Sequence, residues 1–310
     1  MKFAKPNNME ILNALKRPIG KIKMVLDTDA YNEIDDQYAI AYSLLSEDKL
    51  DLQAIYAAPF SNKKAATPKI GMEKSYDEIL NVLNLMKRSD MHSKVLKGSE
   101  FYLSDSDTPV ISDAANDIVR KAIQMPVGDR LYVVGIGAIT NIASAILIEP
   151  KIISKIVVVW LGGNSLSWKD NLEFNCMQDK IAAQVVFNSG VPLVQLPVWG
   201  VTSHLITTEP ELRHYLKGKN ELCEYLYEIT CKQAIFEGKN KVWSKEIWDI
   251  IAIAWLIGDQ NWMEECFIHS PIITLEDTYS YDPRRHFILQ VQNVNRDYIF
   301  QDLFSKLQNN

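Results

Sequence analysis

The run Ile22-Lys23-Met24-Val25-Leu26 leads directly into Asp27-Thr28-Asp29-Ala30-Tyr31-Asn32-Glu33-Ile34-Asp35-Asp36, and this junction decides how the rest of the chain is read. The first five residues have the apolar character of a short strand buried on both faces. The ten that follow hold five acids and no Lys or Arg, a density of negative charge that needs a compensating partner. Asp27 and Asp29, two apart on an extended segment, share a face. Asp35 and Asp36 open a helix expected over Asp35 to Leu45, where the helix dipole favours negative charge. All four side chains can converge on one point.

Working outward, four more apolar runs read as buried strands: Leu52 to Ala57, Leu131 to Ile136, Ile156 to Leu161 and Leu193 to Val198. Helix-length patterns lie between them, at Glu73 to Met86, Ala114 to Ile123, Asn141 to Ile148 and Lys180 to Asn188. This alternation predicts an α/β fold with an open, mostly parallel (mixed) sheet flanked by helices, Rossmann-like, with a ligand crevice at the carboxyl ends of the strands. From Glu209 to Leu256 the chain reads as mainly helical, and Phe267 to Leu275 and Arg285 to Val294 read as late strands. No repeat or Gly/Pro/Ser-rich linker divides the sequence. Residues 1–310 therefore read as a single domain, with a mainly helical cap-like region at about 205–246.

Of the 310 residues, 47% are apolar and 23% charged, a globular balance that excludes a disordered or collagen-like chain. The 39 acidic residues outnumber 33 basic ones, for a net charge of −6, so there is no basic excess to neutralise a nucleic-acid backbone. Cys176, Cys223, Cys231 and Cys266 have neither C-x-x-C nor zinc-finger spacing, which fits a reducing compartment. The first residues lack the apolar core of a signal peptide, and no stretch is long enough to span a bilayer. The expectation is a soluble cytoplasmic protein without a membrane partner.

Carboxylates with no nearby His or Cys suit a hard divalent cation, and calcium (Ca2+) is the expected one. An EF-hand is excluded, since Asn32 stands where its sharp-turn Gly belongs and Tyr38 where its bidentate Glu belongs. A solvated loop followed by a capped helix is the alternative that needs no ligand. An aspartate-nucleophile phosphatase also begins with Asp-x-Asp after a first strand, but Tyr31 departs from the Thr or Val usual in that class.

Later segments carry related chemistry. Gly137-Ala138-Ile139-Thr140-Asn141-Ile142-Ala143 follows the third strand, with Thr140 a possible cap of the next helix. Trp160-Leu161-Gly162-Gly163-Asn164 and Leu172-Glu173-Phe174-Asn175 come next. In the apolar stretch Ile247 to Leu256, Asp249 is the one carboxylate, and burial obliges it to find a cation, hydroxyl or capping partner. Together with Asp-x-Asp and Asp-Asp, and with Asn293-Val294-Asn295-Arg296-Asp297-Tyr298 near the end, these segments resemble the nucleoside hydrolase family, the inosine-uridine preferring N-ribohydrolases. The resemblance spans about residues 22 to 308. The five residues from Ala30 to Ile34, where the common form has three, resemble a subgroup with an Asn-Glu-Ile-Asp-Asp motif.

The resemblance implies the nucleoside hydrolase fold and calcium-dependent hydrolysis of the N-glycosidic bond of ribonucleosides, in purine and pyrimidine salvage, by a homodimer or homotetramer. It implies that Asp29, Asp36, Asp249 and the Ile136 carbonyl bind calcium, and that Asp29 takes the proton of the attacking water with Asp27 orienting it from behind. Asp35 would hold the 2′-hydroxyl, Glu173 the 5′-hydroxyl and Asn175 the 3′-hydroxyl, while Asp249 would serve metal and substrate alike. Trp248 stands where the family commonly has a His that assists the departing base, and would stack on that base. None of His92, His204, His214, His269 or His286 matches that His. Ala57-Ala58-Pro59 replaces the family's Ala-Gly-Asn, which leaves Asn62 as a substitute, and Asn171 is a candidate for the sugar loop. Asp179 reads as a helix cap. A phosphatase, or a calcium-dependent protein that binds ribose without cleaving it, is the alternative function.

Overall fold

The computed structural model describes residues 3, 7–238 and 242–310; residues 1–2 and 4–6 of the leading segment and 239–241 of the expected cap lie outside the described residues. A short helix α1 (Asn8–Ala14) precedes β1 (Ile22–Thr28), which passes through the acidic loop into α2 (Asp35–Leu44). There follow β2 (Leu50–Ala57), α3 (Pro68–Leu85), β3 (Val95–Lys97), α4 (Asp113–Ile123), β4 (Leu131–Gly135), α5 (Thr140–Ile148) and β5 (Ile156–Leu161). The chain continues through α6 (Phe174–Gln178), α7 (Lys180–Ser189), β6 (Leu193–Leu196), β7 (Ile206–Thr208), α8 (Glu209–Tyr215), α9 (Glu221–Phe236), β8 (Ser244–Glu246) and α10 (Ile250–Ile257). It closes with β9 (Met263–His269), β10 (Ile272–Ile273), β11 (Tyr279–Ser280), β12 (Phe287–Val294) and α11 (Arg296–Gln308).

The main sheet has the order β3-β2-β1-β4-β5-β6-β12-β9, with every neighbouring pair parallel except β12 and β9. This is the mixed, mostly parallel sheet that the alternating pattern predicts. Its central strands β4 and β5 are apolar and fully buried because both faces are covered. In β1, Met24 and Leu26 enter one core with Tyr38 of α2, Ile79 of α3 and Ile253 of α10, while Val25 enters the other with Ile118 of α4, Ile142 of α5 and Phe187 of α7. Strand order reverses between β1 and β4, which makes their carboxyl ends the topological switch point where such sheets hold ligands.

Element boundaries differ from expectation where caps act. Helix α3 begins at Pro68, ahead of the expected Glu73, because Thr67 caps it by accepting the Ile70 N–H at 3.3 Å and Pro suits the first helical position. Thr140 is not a cap: Ile139 holds that position, and the Thr140 hydroxyl donates to Asp179 at 2.8 Å instead. The expected helical stretch from Glu209 to Leu256 is interrupted by β8, which pairs antiparallel with β7. Ser270 and Pro271 separate β9 from β10 within the expected strand Phe267 to Leu275. Among the described residues, no helix is long and apolar enough to cross a membrane.

Candidate active site

The carboxyl ends of β1 and β4 are tied together where the Ile136 N–H donates to the Asp27 carbonyl at 2.9 Å. Asp27 is buried within β1; its Oδ1 accepts from Asn141 Nδ2 at 2.8 Å, and its Oδ2 is buried without a hydrogen-bond partner. Burial raises its pKa to about 7, against the opposing effect of Asn141. Asp29 lies just beyond the strand and packs on Gly137, where an added Cβ would sit 2.9 Å from Asp29 Oδ1, so a larger residue there would displace the Asp29 carboxylate. Its Oδ2 is also buried and unpartnered. Burial first, then the charges of Asp36 and Asp35, hold the Asp29 carboxyl well above the usual carboxylate range.

Asp35 and Asp36 occupy the first turn of α2, as the sequence predicts. Asp36 accepts from the Thr28 hydroxyl. Asp35 Oδ2 accepts the backbone N–H groups of Trp248 at 3.1 Å and Asp249 at 3.3 Å, an interaction spanning more than 200 residues of sequence that pins the start of α10 over the acidic loop. Asp249 stands at the N-cap of α10 yet makes no capping hydrogen bond, so the alternative reading of this residue as a helix cap does not hold. Ligand atoms of Asp35, Asp36 and Asp249, all buried, lie within 4.8 Å of one another. Burial and mutual repulsion raise the pKa of all three, Asp35 to about 6 and the other two well above their ordinary value. The tight trio contains Asp35 where the resemblance implies Asp29; Asp29 and Ile136 belong to the wall of the same cavity.

That cavity, of about 160 Å³, is lined by Asp29, Asn32, Glu33, Asp35, Asp36, Ile136, Leu161, Glu173, Phe174, Asn175, Val198, Trp199, Trp248 and Asp249. Glu173 reaches it while capping α6, its carboxylate accepting the N–H groups of Gly163, Asn175 and Cys176 at 2.8–2.9 Å. Burial nevertheless lifts its pKa to about 7. Asn175 spends its amide N–H groups on the carbonyls of Ile136 at 3.2 Å and Leu161 at 3.0 Å. Its Oδ1 remains as the acceptor.

The structure sets other candidates apart. Asp27 does not line the cavity and makes no hydrogen bond to Asp29 among the described residues. Asn171 is buried beside the cavity, its Oδ1 accepting the Asn164 N–H and its Nδ2 directed at the Cys176 sulfur. Asn62 acts at one remove, donating through Nδ2 to Asn32 Oδ1 at 2.8 Å. Asp179 caps α7 through the Ala182 N–H and also accepts from Leu103 N–H and the Thr140 hydroxyl. None of the five histidines reaches the cavity wall.

Asn32, Glu33, Phe174, Val198 and Trp199 line the cavity without having been singled out by the sequence. For Trp199 a signal existed in the exposed-loop pattern Val198-Trp199-Gly200 directly after β6, since function collects at strand ends. Trp199 meets the Trp248 ring edge to face, with centroids 6.2 Å apart, and stacks on Trp168 at 5.9 Å. Three indoles thus run from the cavity wall to the surface.

A doubly wound sheet with a buried carboxylate centre at its switch point and an aromatic wall beside it is the architecture of an α/β enzyme, with residues that could hold a metal ion beside a small polar substrate. The model of the inosine-uridine preferring nucleoside hydrolase family matches residues 24–281, and the chain belongs to that family of metal-dependent hydrolases, which cleave the N-glycosidic bond of ribonucleosides. It is 25% identical over 224 residues to probable uridine nucleosidase 2 of Arabidopsis thaliana, covering 67% of this chain and 68% of that protein. It is 26% identical over 195 residues to the pyrimidine-specific ribonucleoside hydrolase RihA of Escherichia coli, covering 56% of this chain and 59% of that protein. In fold it matches the plant nucleoside hydrolase PpNRh1 with a TM-score of 0.74 at 19% identity, and an inosine-guanosine nucleoside hydrolase with 0.75 at 18%, each over 93% of this chain and 99% of the other.

Proposed function

We propose that the protein hydrolyses ribonucleosides to ribose and free base with calcium as its ion, and that Asp29 is the general base. The observation that carries this reading is the convergence of Asp29, Asp35, Asp36 and Asp249 on one cavity, because buried carboxylates this close are stable together only with protons or a cation between them. Asp36, Asp249 and the Ile136 carbonyl, with Asp29, offer the all-oxygen set that calcium takes. When bound, calcium orients water and the sugar diol.

The residues divide the remaining work. Water attacks C1′ as the bond to the base nitrogen breaks, and Asp29 accepts the water proton. Its unpartnered Oδ2 leaves an oxygen available for that task. Asp35 binds the 2′-hydroxyl, Asn175 Oδ1 the 3′-hydroxyl and Glu173 the 5′-hydroxyl, together fixing the ring for in-line attack. Asp27 acts behind Asp29. Trp248 stacks on the base. A cavity of about 160 Å³ fits a sugar with the base lying outward along the indoles, being smaller than the roughly 300 Å³ at which whole-ligand pockets begin. The region at about residues 205–246 is the cap-like part of a single domain, and the enzyme works in cytoplasmic nucleoside salvage as a homodimer or homotetramer.

The test is ribose release from a panel of ribonucleosides, before and after chelation. Activity lost to chelator and restored by calcium supports the reading. Phosphate-ester cleavage without ribose release would favour the phosphatase alternative, and binding of ribose without base release the non-catalytic one.

A further inference from the structure

Every ionisable side chain that lines the cavity is acidic: Asp29, Glu33, Asp35, Asp36, Glu173 and Asp249. This suits a sugar that becomes cationic but opposes the other half of the reaction. When the C1′–N bond breaks, its electron pair stays on the base, and neither a His nor any other cation lines the wall to meet that charge.

A cation lies one layer behind. The Lys245 side chain is 2% exposed, and its Nζ is 2.6 Å from Glu33 Oε2, 3.4 Å from Glu237 Oε1 and 4.6 Å from the Trp248 ring centroid. Burying an ammonium is costly unless it is paired, and the two glutamates supply that pairing. The ribbon of β7 and β8 sets the position, with Lys245 opposite Thr207 in register. Trp248 follows three residues later and is held by its backbone to Asp35. Lys245 therefore fixes one face of the indole, while Trp199 meets the same ring edge to face.

We infer that Lys245 is a positioning residue for departure of the base: its ammonium, clamped by Glu33 and Glu237, locks the Trp248 indole as the wall on which the leaving base stacks. The inference rests on the reading of Trp248 as the base-side wall. In the step it assists, the water oxygen bonds to C1′, the water proton goes to Asp29, the C1′–N pair remains on the base, and the base takes a proton from solvent after leaving. Lys245 gives up no proton. It acts through Trp248 by cation–π contact, which strengthens when desolvated.

The experiment compares inosine and uridine with p-nitrophenyl β-D-riboside, whose leaving phenolate needs no help. Lys245→Met is expected to lower kcat on the nucleosides by roughly 30-fold, the rate equivalent of a desolvated cation–π contact of about 2 kcal/mol, and to leave the nitrophenyl riboside close to wild type. Lys245→Arg should restore most of the nucleoside rate. The double variant Lys245→Met with Glu33→Gln removes the carboxylate left without its ammonium, so a selective loss that persists there at wild-type melting temperature supports the inference. Equal losses on both substrate types, or no loss on nucleosides, would overturn it. Wild-type protein that cleaves the nitrophenyl riboside but no nucleoside also overturns it while the glycosidase reading survives; cleavage of neither removes that reading as well.

Discussion

Replacing Asp249 by Asn should make the metal-free protein more stable and the calcium-loaded protein comparatively less so. Ligand atoms of Asp35, Asp36 and Asp249 lie within 4.8 Å of one another. Two full charges at that distance repel by roughly 3.5 kcal/mol at an effective dielectric constant of about 20. The amide keeps the shape of the carboxyl and removes two of the three repulsive pairs. Protons already taken up by the cluster, as the raised pKa values of all three indicate, limit what remains to be gained. A net gain of about 2 kcal/mol is expected, and for a chain of 310 residues it corresponds to about 3 °C in Tm. Calcium at about 100 times its Kd adds roughly 2.7 kcal/mol to wild type, or about 4 °C, and much less to a variant short of one ligand. Thermal melting of both proteins in chelator and in calcium should therefore show their order inverted. A variant less stable than wild type in chelator, or an equal calcium shift in both, would refute the reasoning.

Three further outcomes follow from the same site. Asp29→Ala should abolish ribose release while circular dichroism stays as in wild type; substantial remaining turnover would remove Asp29 as the base. 2′-Deoxynucleosides should be poor substrates, because they lack the hydroxyl that Asp35 would bind, and equal kcat/KM for inosine and deoxyinosine would count against this geometry. In chelator, stability should rise as pH falls from 7 toward 5. Asp27 and Glu173 titrate at about 7 in the folded protein, above their ordinary 3.8 and 4.5, so the folded state binds protons that the unfolded chain has released. Their stabilising effect is complete below the unfolded values and is lost as pH rises through 7, and a Glu173→Gln variant with an unchanged pH slope of Tm would contradict that assignment.

The central strands were legible because burial on both faces leaves little but apolar residues, as in Leu131 to Gly135 and Ile156 to Leu161. Asp29, Asp35 and Asp36 were legible because they are crowded in one short stretch where only a shared partner could offset their repulsion, whereas Asp27, expected to converge with them, lies behind the wall and accepts from Asn141. Asp249 stood out as a lone charge in an apolar helix. The boundaries that the reading missed were those set by side-chain competition: Thr140 looked like a cap, but its hydroxyl finds Asp179, a residue distant in sequence. The same limit hid much of the cavity wall. Lys245 lies in a polar segment with no local sign that it will be buried, and its partner Glu33 is 212 residues away. Trp199 gains its place from the indoles of Trp168 and Trp248, which no single window of sequence contains. Glu173 and Asn175 were found by motif, yet their ties to Gly163, Ile136 and Leu161 depend on how the start of α6 meets the carboxyl ends of β4 and β5.

The most direct test of the central claim is the anomalous scattering of crystals grown with calcium. A single peak with oxygens of Asp36 and Asp249 at about 2.3–2.6 Å, and Asp29 in reach of the same ion, is the predicted result. Calcium bound elsewhere, with these carboxylates left empty while the crystals still turn over nucleoside, would contradict it.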